Sequence, residues 1–220
     1  MSGQLVAGVV AAPLFVGAFT WMGAARPGYR WRQHSVSSLA CGRHGWMQRA
    51  NFIVTGLLYC AASRGLGPAS RSSLTGRVIP AMVSGVGIGL IGSGMFVTDP
   101  VAGFPLVVPD NDAADQPEPG VTVPSRSGML HNLFALPIFV GIPVAGLASA
   151  LAAAREHDHR WASYSAGSSI AMMGSSVLFG AAFGGRPNLA GTGGILQRMS
   201  ILFGFGWLSA LSLRALRSLS

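Results

Sequence analysis

The chain has 220 residues, of which 50% are hydrophobic and only 10% are charged, and its mean hydropathy is +0.48. A soluble domain carries roughly a quarter charged residues, so this composition excludes an ordinary soluble protein and predicts an integral membrane protein. The net charge is +8, and every basic residue is an arginine. These arginines fall at predicted helix ends and in short loops, which disfavours nucleic-acid binding and favours contact with lipid headgroups.

Six apolar runs of membrane-spanning length follow one another along the chain. The first, residues 3–23, lacks the basic leading segment of a signal peptide and is too long for its apolar core, so we expect a retained span. The others are predicted at residues 47–65, 78–97, 128–153, 161–183 and 195–213. The predicted fold class is therefore an all-α integral membrane bundle of six transmembrane helices, in which three helical hairpins form one domain over residues 1–220.

The long connections between spans are predicted on one side of the membrane, with both termini on the other side. They cover residues 24–46, 98–127 and 184–194, and the middle one is rich in proline and acidic residues, which predicts irregular structure. The two sides carry nearly equal numbers of arginines, so the positive-inside rule does not decide the orientation. The short basic connectors favour cytoplasmic termini in a bacterial plasma membrane.

A five-residue pattern begins the second, fourth and sixth spans. Each copy has glycine, two large apolar residues and two polar residues, and polar groups one turn inside a membrane are costly unless they face the bundle interior, a cavity or one another. Helix N-termini also favour a bound anion. The pattern predicts one shared polar site beneath the long connections. Its copies are Gly45-Trp46-Met47-Gln48-Arg49, Gly128-Met129-Leu130-His131-Asn132 and Gly194-Ile195-Leu196-Gln197-Arg198.

Short motifs over most of the chain resemble the membrane-protein family called domain of unknown function 998. That resemblance implies a six-helix fold and no assigned reaction, so it supports the topology and the motif positions and does not supply a chemistry. The motifs are Arg26-Pro27-x-Tyr29, Ser35-x-x-Ser38-Leu39, Gly45-Trp46, Asn51-Phe52-Ile53-x-x-Gly56-Leu57, Gly94-x-Phe96-x-x-Asp99-Pro100, Gly128-x-x-His131 and Gln197-Arg198.

Asp99 and His131 are the candidate catalytic residues. Asp99 follows a helix C-terminus, where the helix dipole disfavours a carboxylate, so we expect a partner in His131 or Arg198; the alternative is a wetted Asp-Pro turn. His131 suits a general base, a proton relay or an anion donor, and its alternative is a structural hydrogen bond to a loop carbonyl. A hydrolase triad with Ser35 or Ser38 lacks the expected nucleophile elbow.

The predicted function is the binding of a lipid or other anionic amphiphile in a pocket under the three long connections. The alternative is a membrane-embedded enzyme that acts on a lipid or isoprenoid, with Asp99 and His131 as acid and base. Secondary transport is less favoured, because no charge lies near the midplane of a predicted span. The predicted ligand-binding residues are Arg49, Gln48, Asn132, Gln197, Arg198, His34 and Ser38.

The predicted partners are membrane lipids, and the sequence predicts no cofactor and no metal site. The histidines His34, His44 and His131 lack metal-ligand spacing, and Cys41 and Cys60 are too few for a disulfide framework. Glycines spaced four apart, Gly85 with Gly89 and Gly180 with Gly184, predict close helix contacts through which the chain could form oligomers.

Overall fold

The computed structural model describes residues 1–66, 74–104 and 124–219, and this part of the chain contains six long helices. Their bounds lie close to those of the six predicted spans. Short 3-10 helices occur at Ser37–Ala40 and Pro187–Leu189, within the first and third long connections. The middle of the second connection lies outside the described residues. The long helices are α1 (Ser2–Ala25), α2 (Gly45–Leu66), α3 (Leu74–Met95), α4 (Arg126–Arg155), α5 (His159–Phe183) and α6 (Gly193–Arg217).

Five of these six helices, all except α2, are long and apolar enough to cross a membrane. Their length and composition indicate a membrane protein. Helix α2 is more polar because Gln48, Asn51, Thr55 and Tyr59 recur along it at helical spacing. All four side chains are buried in the protein, so the polar face of α2 is turned inward and not towards solvent.

The helices form a closed ring in chain order. Each one packs against its neighbours in sequence, and α6 also packs against α1. The three predicted hairpins are present, but α2 packs against α3 and α4 against α5 as extensively as the helices within the hairpins do. The bundle is therefore one continuous ring, and a site at one end of it can draw on several helices.

Aromatic side chains fill the centre of the ring. The ring of Phe15 stacks on that of Phe205 at 5.2 Å between centroids and meets Phe19 edge-on at 5.4 Å. Tyr59 packs edge-on against Phe205 at 5.6 Å. Such pairs contribute roughly 0.5–1.5 kcal/mol each beyond the apolar area they bury, so this layer fixes α1, α2 and α6 against one another.

Glycines bring α2 and α3 into backbone contact. A Cβ atom placed on Gly56 would lie 2.6 Å from the carbonyl oxygen of Gly87, and one on Gly94 would lie 2.7 Å from the carbonyl oxygen of Arg49. Gly89 makes a similar approach to α4, since its Cβ would lie 2.5 Å from the Phe134 carbonyl oxygen. Gly89 therefore serves packing within the chain, whereas the oligomer expected from the glycine spacing stays a prediction.

We expect Gly56→Ala to destabilise the fold by about 1–3 kcal/mol, because the added methyl group must force α2 and α3 apart. Thermal unfolding of the purified protein in a mild detergent measures the effect. Gly174→Ala is the matched control, since no atom lies within 4 Å of a Cβ at that position in α5. Equal melting temperatures for the two variants would contradict the close approach of α2 and α3.

Candidate functional site

The described parts of the three long connections meet at one end of the bundle. The Cys41 thiol donates to the Thr98 carbonyl oxygen across 3.4 Å, which joins the first connection to the second. The imidazole of His34 stacks on the Phe104 ring at 5.0 Å between centroids and strengthens the same junction. The third connection reaches the same end, where Arg186 lines one groove with Gln33 and Val101. The N–H of Ile195, in the first turn of α6, donates to the Arg32 carbonyl oxygen at 3.0 Å. The connections thus form a roof over the ring.

The glycine that opens each copy of the five-residue pattern leaves room for this roof. A Cβ atom on Gly45 would collide with the backbone of Ala40, and one on Gly128 would collide with the Asp99 carboxylate. A Cβ on Gly194 would lie 2.5 Å from the carbonyl oxygen of His34. In all three copies a connection crosses the helix start so closely that a side chain does not fit.

The fourth residue of each copy points into the bundle. Gln48, His131 and Gln197 are 0%, 3% and 6% exposed. The fifth residues differ, since Arg49 and Arg198 are half-buried and Asn132 is exposed. The three copies of the pattern therefore share the buried, inward orientation of the side chain at the fourth position only.

Arg49 binds the end of α3. Its Nε donates to the Gly94 carbonyl oxygen at 3.0 Å and its Nη2 donates to the Met95 carbonyl oxygen at 3.4 Å. The last carbonyls of a helix have no partner within the helix, and Arg49 supplies part of what they lack. Its guanidinium group is thus turned to the protein's own backbone.

Arg198 holds the first connection in the same way. Its Nη1 donates to the carbonyl oxygens of Trp31 at 2.6 Å and His34 at 3.2 Å, and its Nη2 donates to the Tyr29 hydroxyl at 2.5 Å. The guanidinium also lies 5.6 Å from the centroid of the Phe19 ring. Arg198 joins α6 to the first connection and to α1, which accounts for its position without a bound anion.

Asp99 has a partner other than the two expected. Its Oδ2 accepts a hydrogen bond from the backbone N–H of Ser125 at 3.1 Å. No ion pair joins it to His131 or Arg198, because the only ion pair within the described ranges is Arg214 with Asp158. The expectation of a hydrogen-bond or ion-pair partner in His131 or Arg198 is wrong: neither contact forms, and the free N–H of Ser125, just before α4, binds the carboxylate instead. The described residues also contain no cluster of three metal-ligating side chains.

His34 and Ser38 are built into the first connection. The Nδ1 of His34 accepts a hydrogen bond from the Arg30 N–H at 3.0 Å, and burial, aided by the charge of Arg30, lowers the pKa of its imidazole. Ser38 is fully buried, and its hydroxyl lies 2.7 Å from that of Ser35. The structure thus places both residues in the roof, outside the cavities beneath it.

His131 is fixed by the end of α3. Its Nδ1 lies 3.0 Å from the Ser93 carbonyl oxygen and 2.9 Å from that of Phe96. Because carbonyl oxygens only accept hydrogen bonds, Nδ1 carries the proton and Nε2 carries the lone pair in the neutral ring. Nε2 forms no hydrogen bond to any described residue, so it is free to accept one from a ligand.

A crevice of about 210 Å³ opens between α4, α5 and α6, under the first and second connections. A smaller inner cavity of about 20 Å³ continues from it into the ring and shares His131 and Gln197 with it. An outer groove of about 270 Å³ adjoins the crevice through Val101 and Phe183 and is lined by Arg186. The crevice is lined by Ser35, Ser37, Thr98, Val101, His131, Asn132, Ala135, Leu136, Phe139, Phe179, Phe183 and Gln197.

Three of the predicted site residues, His131, Asn132 and Gln197, therefore meet at one crevice. The other predicted residues do not line it: Asp99, Arg49, Gln48, Arg198, His34 and Ser38. Sequence reasoning missed Ser93 and the aromatic wall of the crevice. Ser93 had a usable signal, since it is a polar residue inside an apolar run, two residues before the end of α3 and hence near the depth of His131.

We expect Arg198→Gln to lower the free energy of unfolding by about 2 kcal/mol, because hydrogen bonds from a charged donor to the carbonyls of Trp31 and His34 are lost. Denaturation in mixed detergent micelles measures it. Arg214→Gln is the control, since it removes an ion pair whose arginine is 46% exposed, and exposed ion pairs contribute little to stability. A loss for Arg198→Gln no larger than the control's would contradict the anchoring role.

Comparison with known proteins gives a family and no activity. No curated protein and no solved structure matches the chain. A family model described as "Protein of unknown function (DUF998)" matches residues 9–214. That match covers nearly the whole chain, and it agrees with the resemblance carried by the short motifs. The chain therefore belongs to the DUF998 family of proteins of unknown function.

Proposed function

We propose that this protein crosses the membrane six times and binds a lipid or other amphiphile in the crevice between α4, α5 and α6. One observation carries the proposal: His131 and Gln197 are buried, both line the crevice, and each keeps a nitrogen that the fold does not use. Polar groups at this depth in a membrane bundle are costly and commonly mark functional sites.

The place of α2 in the ring supports six spans. It lies between α1 and α3, which are both apolar enough to cross a membrane. Its polar side chains are buried against other helices, so α2 presents outward residues such as Val54 and Leu57, which are 45% and 57% exposed. A helix with an apolar outer face and an inward polar face is compatible with lipid around it.

The crevice is lined by polar residues at one end and by apolar residues along its wall, as the binding of an amphiphile requires. Asn132, His131 and Gln197 lie at its roofed end, and Phe139 and Phe179 form an apolar wall. Ligand sites are typically apolar with a few polar groups that fix orientation. The arrangement suits a ligand whose polar end lies under the connections and whose chain runs between α4 and α5.

Arg186 is the cationic side chain that would contact a negative charge on that ligand. Its side chain is exposed, lines the outer groove beside the crevice, and forms no hydrogen bond or ion pair with the described residues. Arg49 and Arg198, which the sequence suggested for this role, donate to backbone carbonyls instead. An anionic amphiphile would therefore place its charge against Arg186.

The enzymatic alternative has less support. It requires Asp99 and His131 at one site, whereas the Asp99 carboxylate is bound to the Ser125 N–H and lines none of the three cavities. His131 alone lies at the crevice. The geometry therefore favours binding over acid–base chemistry by that pair.

We expect Ala135→Phe to abolish ligand binding, because Ala135 lines both the crevice and the inner cavity and the added ring fills the space between them. Lipids extracted from the protein purified in mild detergent, measured against bulk membrane lipid, should lose any enriched species at least fivefold. Leu133→Phe is the control on the same helix, since Leu133 is 58% exposed and faces away. Unchanged enrichment in Ala135→Phe would contradict the proposal.

We expect Arg186→Gln to weaken the binding of tetradecyl phosphate about tenfold, which corresponds to about 1.4 kcal/mol, because the cation facing the phosphate is lost. Competition with a photoreactive amphiphile measures the affinity. Arg160→Gln, at the opposite end of the bundle, should leave it unchanged. If both variants weaken binding equally, the charge effect belongs to the whole protein and not to the outer groove.

A further inference from the structure

The inner cavity holds three buried side chains whose hydrogen-bonding capacity is incomplete. Ser93 is 1% exposed, and its Oγ has no partner in the structure. His131 and Gln197 are also more than nine-tenths buried. His131 Nε2 and Gln197 Nε2 form no hydrogen bond with the described residues, whose bonds to these two side chains involve only Nδ1 and Oε1.

The donor and acceptor character of these groups follows from the bonds already made. The Val36 N–H donates to Gln197 Oε1 at 2.7 Å, which identifies that atom as the oxygen and leaves the Gln197 amide nitrogen as a donor. His131 Nδ1 carries its proton towards two carbonyls, so Nε2 is an acceptor. The Ser93 hydroxyl can act in either sense. The three buried side chains therefore offer one acceptor, one donor group and one hydroxyl.

The size of the cavity limits what can enter. Its volume of about 20 Å³ is close to the roughly 10–15 Å³ that one water-sized oxygen needs. Apart from Ser37, the rest of its lining is apolar, with Phe15, Leu90, Ile138 and Phe205 among the walls. A phosphate group is too large, and a deprotonated oxygen would face the His131 lone pair. A single hydroxyl group matches both the volume and the hydrogen-bonding pattern.

We propose that the inner cavity is a hydroxyl subsite, in which a hydroxyl group of the amphiphile donates to His131 Nε2 and accepts from Gln197 Nε2, with Ser93 Oγ as a further partner. The inference rests on the proposed function, since the crevice must hold the rest of the ligand. It adds the ligand class: an amphiphile that carries a free hydroxyl group next to its chain. A ligand analogue that lacks the hydroxyl proton leaves His131 Nε2 without a hydrogen bond. A buried polar group left unpaired gives stronger selectivity than a difference in apolar contact does.

The test compares tetradecanol with its methyl ether as competitors of a photoreactive amphiphile on the full-length protein in nanodiscs. We expect the alcohol to bind at least tenfold more tightly than the ether. His131→Asn should bring the two affinities close together, because asparagine keeps an N–H donor near the Nδ1 position and has no acceptor at the Nε2 position. Ser93→Ala should reduce the preference with no loss of stability, since Ser93 Oγ forms no hydrogen bond within the protein. Ser63→Ala, a buried serine whose Oγ donates to the carbonyl of Cys60 in its own helix, is the control and should keep it.

The outcomes separate the two proposals. If alcohol and ether bind equally to the wild-type protein, and Ala135→Phe abolishes both, the crevice proposal stands and the hydroxyl subsite is overturned, since the inner cavity then holds water only. If neither compound competes but tetradecyl phosphate does, the hydroxyl subsite is overturned and the crevice proposal stands; if none of the three competes, both proposals fail. If the wild-type preference persists in both His131→Asn and Ser93→Ala, the hydroxyl is recognised elsewhere and the subsite is again overturned.

Discussion

The structure depends on hydrogen bonds to backbone carbonyls at the end of the bundle where the long connections meet. Helix C-termini and loops leave carbonyl oxygens without a partner, and in a membrane protein few of these can be left unpaired away from water. Arg49, His131 and Arg198 bind such carbonyls in α3 and in the first connection. These contacts join helices of the ring to one another and to the roof.

This constraint also shapes the candidate site. The carbonyls of Ser93 and Phe96 fix the proton of His131 on Nδ1, and that choice makes Nε2 an acceptor facing the cavities. The Val36 N–H fixes Gln197 in a similar way, with its oxygen in the roof and its amide nitrogen unused. The same two side chains therefore stabilise the fold and give the proposed site a defined hydrogen-bonding pattern. Replacing either side chain affects both the fold and the proposed site. The informative variants are therefore those that keep the hydrogen bond to the backbone and remove only the unused nitrogen.

Much of the fold could be predicted from the sequence, because an apolar run long enough to span a membrane is recognised from local composition alone. The six long helices begin and end near the predicted spans, and the burial of Gln48, His131 and Gln197 agrees with the depth expected from the repeated pattern. The composition shows that α2 is more polar than the other helices. It does not show that the polar side chains of α2 lie on one face, which is turned into the bundle. That feature depends on which face of the helix its neighbours cover.

The composition of the site was less predictable because it depends on where the connections run. Arg49 and Arg198 were expected to face a ligand, but arginine reaches backbone carbonyls from the same positions. The end of α3 supplies those carbonyls to Arg49, and the first connection supplies them to Arg198. The Asp99 carboxylate accepts a hydrogen bond from the backbone N–H of Ser125, and a backbone partner cannot be recognised from residue type in the sequence. The aromatic wall formed by Phe139 and Phe179 comes from two different helices, so only their packing reveals it.

The most direct test of the central claim is a structure of the protein in lipid nanodiscs, determined at a resolution that shows bound lipid. The account predicts continuous density for an amphiphile that runs along Phe139 and Phe179, with a polar atom within hydrogen-bonding distance of His131 Nε2. It would be contradicted by a crevice closed by its own side chains, or by His131 Nε2 bonded to a protein group while lipid lies only on the outer faces of the ring.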